Sequence, residues 1–208
     1  MKRIALFWAV WIAVLVTVPM AVVAQSDVSA VRSGKIKDVF VSMPDSLMPM
    51  LGKNERKDLI DIAESGMTTA LDNDWNGRSR ILALKDDYMS LLEDVADSIT
   101  VEMALLPRTK DTLICLIRTI PLPHKDSELQ IFDNNWKQQK LGGEISQYAF
   151  SPTHALDISL LPDTKDGVCI TTTMRQMDNL NDPQAFPATA REEKAVYKWN
   201  GRRFVRLK

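Results

Sequence analysis

The chain has 208 residues, with 26 basic and 27 acidic side chains and a formal net charge of −1. This near-neutral balance argues against a dedicated nucleic-acid-binding protein, which would carry a clear basic excess. The length is sufficient for one sizeable hydrophobic core, or for two small halves that share one.

The first 24 residues have the pattern of a secretory signal peptide. Lys2 and Arg3 precede an apolar stretch, 4–18, and a run of small residues at 21–24 follows. We expect cleavage after Ala24; a retained signal anchor is the alternative, since the stretch is about long enough to span a bilayer. Cleavage would leave 184 residues (208 less 24) with a net charge of −3 and no transmembrane segment. The expected location is the periplasm or the cell surface.

The segment after the signal peptide is polar over residues 25–37, which we interpret as a flexible lead-in. A helical segment is predicted over 38–67. Within it, Ser42 could cap a short first helix and Asn54 a second one that ends at Gly66. The apolar face of the second helix would carry Leu59, Ile60, Ala63 and Met67.

A heptapeptide occurs twice, as 105–111 and, offset by 55 residues, as 160–166, and only the residue after its proline differs. Alternating apolar and polar residues precede both copies and β-rich residues follow, so each copy predicts an antiparallel hairpin. The functional alternative is a pair of equivalent binding loops, but nothing catalytic is added in either copy. We therefore predict a single domain, 38–208, that contains two internally similar β-rich halves at about 68–141 and 142–208.

The rest of the chain predicts strands and turns. Two more hairpins are expected at Trp75–Arg78 and Trp199–Arg202, because Asn-Gly favours a tight turn with positive φ at both residues; Asp133–Trp136 is a looser version. The fold class is α+β, mainly antiparallel β with about ten strands, in which a strongly curved sheet packs one face against the helices. The strands between these hairpins are predicted at 88–93, 99–106, 112–120, 127–132, 145–150, 155–161 and 167–175.

Two cysteines remain for the mature chain, Cys115 and Cys169. An exported compartment permits a disulfide. In the internal alignment, however, Cys115 matches Ile170 and Cys169 matches Ile114. Adjacent strand positions point to opposite faces of a sheet, so we favour two buried free thiols.

Candidate chemistry is sparse. His124 and His154, with Asp126 and Asp157, could be drawn as a metal site, since imidazole and carboxylate suit zinc. Their spacing matches no recognised ligand pattern, and no nucleophile elbow or phosphate-binding loop is present. Gly142-Gly143 is interpreted as a turn. We therefore assign no catalytic, cofactor-binding or metal-binding residue, although a carboxylate pair brought together by the fold remains open.

Three other features could bind a ligand. The turn tryptophans Trp75, Trp136 and Trp199 could stack on sugars, but such residues more often cover the end of a core. The long turn-rich stretch Gln176–Arg191 is present only in the second half, which makes it a candidate for binding. A basic patch could bind an anionic polymer or headgroups, or it could protect an edge strand from aggregation, which we favour. The patch comprises Lys194, Lys198, Arg202, Arg203, Arg206 and Lys208.

The segments Met43–Pro49 and Arg56–Asp61 resemble those of a family of uncharacterised exported proteins from Bacteroidetes, which carries the same Met-Pro-Asp-Ser-Leu run early in its mature chain. Its later Leu-Leu-Pro and Asp-Asn-x-Trp positions are also similar. The resemblance implies an envelope location and no reaction, so no catalytic residue is transferred from it.

The expected function is that of an exported binding or interaction module rather than an enzyme, with an envelope protein or a glycan as its partner. No cofactor and no nucleic acid is expected. The alternative is an exported hydrolase with a carboxylate or metal site, and a structural role in an envelope complex is a third interpretation.

Overall fold

A computed structural model describes residues 35–94, 98–121, 125–140, 142–143, 145, 154–162, 167–176 and 192–207. The chain begins there with α1 (Ile36–Ser42), a 3-10 helix (Asp45–Leu47) and α2 (Lys53–Glu64). Eleven strands follow within the described residues: β1 (Leu71–Asp72), β2 (Arg78–Leu84), β3 (Tyr88–Asp94), β4 (Ile99–Pro107), β5 (Thr112–Ile120), β6 (Asp126–Phe132), β7 (Gln138–Gln139), β8 (His154–Leu161), β9 (Cys169–Gln176), β10 (Glu192–Trp199) and β11 (Phe204–Arg206).

The strands form two antiparallel sheets. β1 to β7 lie side by side in chain order in the first sheet, and the second has the order β11-β10-β9-β8. This confirms the α+β fold class with mainly antiparallel β structure. It also corrects the expectation of one strongly curved sheet, because the described strands β7 and β8 belong to two separate sheets. Splitting is the other outcome open to a twisted sheet of about ten strands.

The first sheet is covered on both faces. Side chains such as Leu91, Met103 and Leu116 pack under the helices in one core, and Ala104, Cys115 and Ile131 face the second sheet in another. β5 is therefore buried on both faces from Leu113 to Ile117. A strand buried in this way has a continuous apolar run rather than an alternating one, as Leu-Ile-Cys-Leu-Ile does here.

The helices differ in detail from those predicted. α1 begins at Ile36, inside the last residues of the predicted lead-in, and Ser42 ends this helix instead of capping one. Gly52, not Asn54, is the N-cap of α2, and Met67 lies exposed beyond its end. Leu59 and Ile60 face the core as expected.

Arg56 is the central polar contact of the helical segment. Its side chain is 1% exposed and donates to the carbonyls of Leu51 (2.5 Å) and Met43 (2.7 Å) and to the Asp45 carboxylate (3.0 Å). The Met-Pro-Asp-Ser-Leu segment thus wraps around this guanidinium. A buried charge needs such partners, because desolvation would otherwise destabilise the fold by several kcal/mol.

Both heptapeptides lie at hairpins, as predicted. The first connects β4 to β5, where Arg108 N–H donates to the Asp111 carbonyl at 2.9 Å. The second connects β8 to β9, although residues 163–166 lie outside the described part. The predicted strand at 145–150 also lies outside it, except for Ile145, which is buried between the sheets.

The two hairpins are not equivalent in register. Leu106 pairs with Leu113 in the first hairpin, so the 55-residue offset predicts that Leu161 pairs with Val168 in the second. Leu161 instead pairs with Cys169, one residue further along the chain. As a result, Leu156 and Ile158 face the second sheet's core, while their first-half counterparts Val101 and Met103 face the helices. The two copies therefore bury different faces of β8 and β4.

The Asn-Gly hairpins form, but not with the predicted turn type. In the first, only Asn76 has a positive φ (56°), and in the other only Gly201 does (87°). The Asn73 side chain instead accepts hydrogen bonds from two backbone N–H groups of its turn. The side chain of Asp133 does the same in the β6–β7 turn. Side-chain acceptors of this kind allow longer turns than the two-residue one.

Both cysteines are buried and free. Cys115 belongs to the core between the sheets. Cys169 pairs with Leu161, one position away from the Leu160–Ile170 pair that faces this core, so it points to the opposite face of the second sheet.

None of the helices in the described ranges combines the length and the hydropathy needed to cross a membrane.

Candidate functional site

The residues that the sequence offered for metal binding are not brought together. His124 lies outside the described residues, and His154 is the first residue of β8. Asp126 begins β6 and Asp157 lies within β8. Among the residues that the structure describes, no group of three or more His, Cys, Asp or Glu side chains could hold a metal ion.

Three polar side chains of the first sheet bind the edge of the second. The N–H groups of Leu156, Ile158 and Leu160, at alternate positions of β8, donate to the Asp126 carboxylate (3.1 Å), the Ser127 hydroxyl (2.9 Å) and the Glu102 carboxylate (3.3 Å). An edge strand otherwise presents unpaired N–H groups. These side chains take the place of a neighbouring strand and fasten the two sheets together.

Glu102 is the most buried carboxylate of this junction. Burial raises its pKa, while the hydrogen bonds from Tyr88 and from the Leu160 N–H oppose the rise. The Tyr88 hydroxyl donates to Glu102 at 2.9 Å, and burial is the largest of the causes that raise the pKa of this tyrosine to about 12. Both oxygens of Glu102 are therefore engaged in holding the fold.

Asp157 lies near Glu102, since its charge contributes to the raised pKa of that glutamate. Its Oδ1 atom is buried and accepts no hydrogen bond from any described group. The two residues are 55 positions apart in the sequence, so no local spacing indicates that the fold brings their charges within range of each other.

A second buried carboxylate lies on the helix-covered face of the first sheet. Glu93 is 2% exposed, and its Oε1 atom has no hydrogen-bond partner within the described structure. Burial raises its pKa to about 7, and the charge of Arg118 opposes the rise. The Arg118 guanidinium donates instead to the carbonyl of Leu47 in the 3-10 helix. Glu93 does not line either of the two cavities described below.

The turn tryptophans have three different environments. Trp199 is buried and donates through Nε1 to the Pro107 carbonyl at 2.7 Å. Trp136 packs against Phe132 and donates to the Ser42 hydroxyl. Trp75 is 53% exposed. Two of the three therefore cover the end of a core, and only Trp75 offers an open ring.

The two heptapeptides converge on a cavity of about 160 Å³ between the sheets. Pro107 and Pro162, the matching prolines of the two copies, both line it, together with Tyr88 and Val168. Its walls are mainly apolar, and Asp87 is the charged side chain among them. Nothing in this lining positions a nucleophile or an acid–base pair.

A larger groove runs between α1 and α2. Its volume is about 340 Å³, and Val41 and Ile60 provide its apolar contacts. The Lys37 ammonium of α1 binds the Glu64 carboxylate of α2 at 2.6 Å, and this contact raises the pKa of Lys37. The remaining charged lining residues are Asp38, Lys53, Lys57 and Asp61.

The charges of α2 in this groove run against its dipole. Lys53 and Lys57 lie in its first half, near the positive end, whereas Asp61 and Glu64 lie near the negative end. A lysine in the first turn or a carboxylate in the last turn destabilises a helix by about 0.3–1 kcal/mol at low ionic strength. This applies to Lys53, Asp61 and Glu64, whereas Glu55 in the first turn has the favourable sign. All four line the groove, and Glu64 is held there by its ion pair with Lys37. These charges are visible in the sequence, but a groove exists only once α1 lies beside α2.

Two other features from the sequence remain without a site. The basic residues Lys194 and Arg206 form ion pairs with Glu192 (3.8 Å) and Glu193 (2.9 Å). The stretch Gln176–Arg191 lies outside the described residues, apart from Gln176 at the end of β9.

A family model with the description "Protein of unknown function (DUF3256)" matches residues 28–155, more than half of the chain. The chain belongs to this family. The DUF3256 match spans both helices, the whole first sheet and the start of β8. It agrees with the resemblance to an uncharacterised family noted from the Met43–Leu47 segment. No curated protein matches the chain.

A solved structure, described as a domain of an uncharacterized protein from Porphyromonas gingivalis W83, is similar to this DUF3256 protein. The TM-score is 0.61 at 23% sequence identity, over 84% of this chain and 100% of the other. Porphyromonas belongs to the Bacteroidetes. At this identity the likeness concerns the fold alone.

Proposed function

We propose that this DUF3256 protein is an exported, non-enzymatic interaction module of the cell envelope, and that the groove between α1 and α2 binds a segment of a partner protein. The signal-peptide pattern of residues 1–24 supports the exported location. The groove supports a binding role, since it is open, charged and built on packed helices.

The observation that carries the proposal is the reversed charge order along α2. Local rules of helix stability are broken mainly where function requires it. Here Lys53 in the first turn offers a cation and Asp61 in the last turn offers an anion, while Glu64 is already paired with Lys37. Val41 and Ile60 line the same groove. The complementary ligand is a peptide segment with an acidic end, an aliphatic middle and a basic end.

Photo-crosslinking in the native host tests the groove. A crosslinking amino acid replaces Lys57 in the groove or, as a control, Lys110 in the exposed β4–β5 turn. We expect a discrete adduct from position 57 that is absent from position 110 and is lost when Lys53→Glu is added. Identical adducts from both positions, or an adduct that survives Lys53→Glu unchanged, would contradict the proposal.

The exported location has its own test. Cell fractionation and intact-mass measurement should find the protein in the envelope fraction with Gln25 as its first residue. A cytoplasmic protein that retains Met1 would remove the basis for an envelope partner, whatever the groove binds.

The hydrolase alternative draws on one specific observation, the Glu102–Asp157 pair with its buried, unpartnered oxygen. It predicts that Asp157→Asn abolishes an activity on glycan, lipid or peptide substrate panels while stability is retained. An activity found in the wild-type protein and lost in this variant would replace the interaction module as the preferred function.

A further inference from the structure

The β10–β11 hairpin concentrates positive charge on an otherwise acidic chain. Residues 192–207 contain five basic and two acidic side chains, a net charge of +3, whereas the whole chain carries −1. The remainder must therefore carry −4. The basic side chains of the hairpin are Lys194, Lys198, Arg202, Arg203 and Arg206.

The tip of this hairpin presents two arginines from a well-defined turn. The Asn200 side chain accepts hydrogen bonds from the N–H groups of Arg202 and Arg203, both at 3.0 Å. The Asn200 N–H in turn donates to the Arg203 carbonyl at 3.2 Å. Both arginines are exposed. These hydrogen bonds order the backbone of the turn from which both arginine side chains extend.

Exposed aliphatic side chains accompany the charge. Val205 is 39% and Leu207 is 42% exposed. Val205 pairs with Lys198, and the Leu207 N–H donates to the Val196 carbonyl at 2.8 Å, so these side chains share one face of the second sheet. That face is the one opposite the core between the sheets, because Tyr197 and Phe204 point the other way.

Two interpretations compete for these residues. Lysine and arginine on an edge strand protect it from pairing with other chains, and this accounts for the charges. Edge protection does not account for Val205 and Leu207. Exposed aliphatic side chains on an edge strand promote pairing with other chains, which is the opposite effect. A cationic surface with protruding aliphatic groups is instead suited to a bilayer interface, where headgroups meet the charges and acyl chains meet the aliphatic groups.

We propose that the β10–β11 hairpin attaches the protein peripherally to a lipid surface with anionic headgroups. An anionic polymer would bind the arginines but would gain nothing from Val205 and Leu207. The lipid surface is therefore the partner that uses both features. This inference does not depend on the α1–α2 groove, which is formed by other elements and is tested with other variants.

Vesicle co-sedimentation tests the attachment. The protein is purified after export from its host, and its partitioning is measured on phosphatidylcholine vesicles with and without about one-quarter phosphatidylglycerol, at low salt. The quantity compared is the difference in bound fraction between the two vesicle types. Binding through any other apolar segment adds equally to both and cancels in this difference. The variants are Arg202→Glu/Arg203→Glu and Val205→Ser/Leu207→Ser, with Lys137→Glu/Lys140→Glu as the exposed control that makes the same charge change elsewhere.

We expect the wild-type protein and the control to prefer the anionic vesicles. The arginine variant should lose this preference by at least about tenfold, and the aliphatic variant should partition several-fold more weakly, with circular dichroism showing that both are folded. No preference in the wild-type protein, or the same loss in the control, would overturn the inference. Heparin binding that needs the arginines, together with vesicle binding that ignores Val205→Ser/Leu207→Ser, would assign the hairpin to an anionic polymer instead.

Discussion

Glu93 gives the most direct test of how the core under the helices is built. Its carboxyl group lies on β3, directly opposite Ser79 of β2, and is 2% exposed. One of its oxygens has no partner within the described structure. Glutamine has nearly the same shape as the Glu93 side chain but cannot ionise. We therefore expect Glu93→Gln to change how stability depends on pH.

The size of the effect follows from the pKa. Burial raises the pKa of Glu93 from 4.5 to about 7, despite the opposing charge of Arg118. The pKa of Glu93 is higher in the folded state than in the unfolded state. The wild-type fold is therefore most stable, with respect to this group, below pH 4.5, and it loses this stability as the pH rises from 4.5 to 7. The difference between the two values corresponds to roughly 3 kcal/mol, at about 1.4 kcal/mol for each pH unit. Above pH 7 the loss is complete and stays constant.

Urea unfolding of both proteins between pH 4.5 and 8.5, at constant ionic strength, measures this loss. The stability of Glu93→Gln relative to the wild-type protein should increase by roughly 3 kcal/mol across this range. Asp58→Asn, which neutralises an exposed carboxylate of α2, serves as the control and should give a nearly constant difference. A constant difference for Glu93→Gln as well would refute the assignment of a buried, neutral carboxyl group at this position.

Four further predictions concern other parts of the fold. Arg56→Ala should lower the free energy of unfolding by about 3–5 kcal/mol, as measured in urea, because buried carbonyls lose their hydrogen-bond donor. A decrease below about 1 kcal/mol would show that water replaces the guanidinium. Ser127→Ala should cost about 1–3 kcal/mol by leaving a β8 N–H unpaired, and faster hydrogen exchange at that amide would confirm the cause. Cys115 and Cys169 should react with a thiol reagent only in denaturant, because both are buried; labelling of the native protein, followed by intact mass, checks this. Lys53→Glu should stabilise α2 by about 0.5–1 kcal/mol, since it places a favourable negative charge at the helix N-terminus. A lower melting temperature for this variant would show that Lys53 does not destabilise α2, and the groove proposal would lose that support.

The strands were predicted well because their signals are local. Runs of strand-favouring residues predicted β3, β4, β5 and β6 to within about one or two residues, and the repeated Leu-Leu-Pro segment predicted the hairpins at Pro107 and Pro162. A hairpin needs only neighbouring residues, so its pattern is complete in the sequence. The turn geometry was less accessible, because Asn73 and Asn200 stabilise longer turns through their side chains.

The helical segment was predicted less accurately for a related reason. α1 begins at Ile36, within residues that look polar and small, and its Ile36 N–H donates to the Asp86 carbonyl at 2.8 Å. A helix of seven residues is not stable alone and forms through its packing. Arg56 likewise looks like a surface residue in the sequence, and only the fold surrounds it with carbonyls.

The sequence by itself determined the fold class, the hairpins and the burial of both cysteines, because these follow from the periodicity of neighbouring residues. The tertiary structure decided the rest. It divided the strands into two sheets, fastened the free edge of β8 to Asp126, Ser127 and Glu102, and placed two helices so that their charged faces form a groove. The physical reason is that each of these features joins groups far apart in the chain, and no local pattern records which distant side chain will satisfy a buried N–H or face a lysine across a groove.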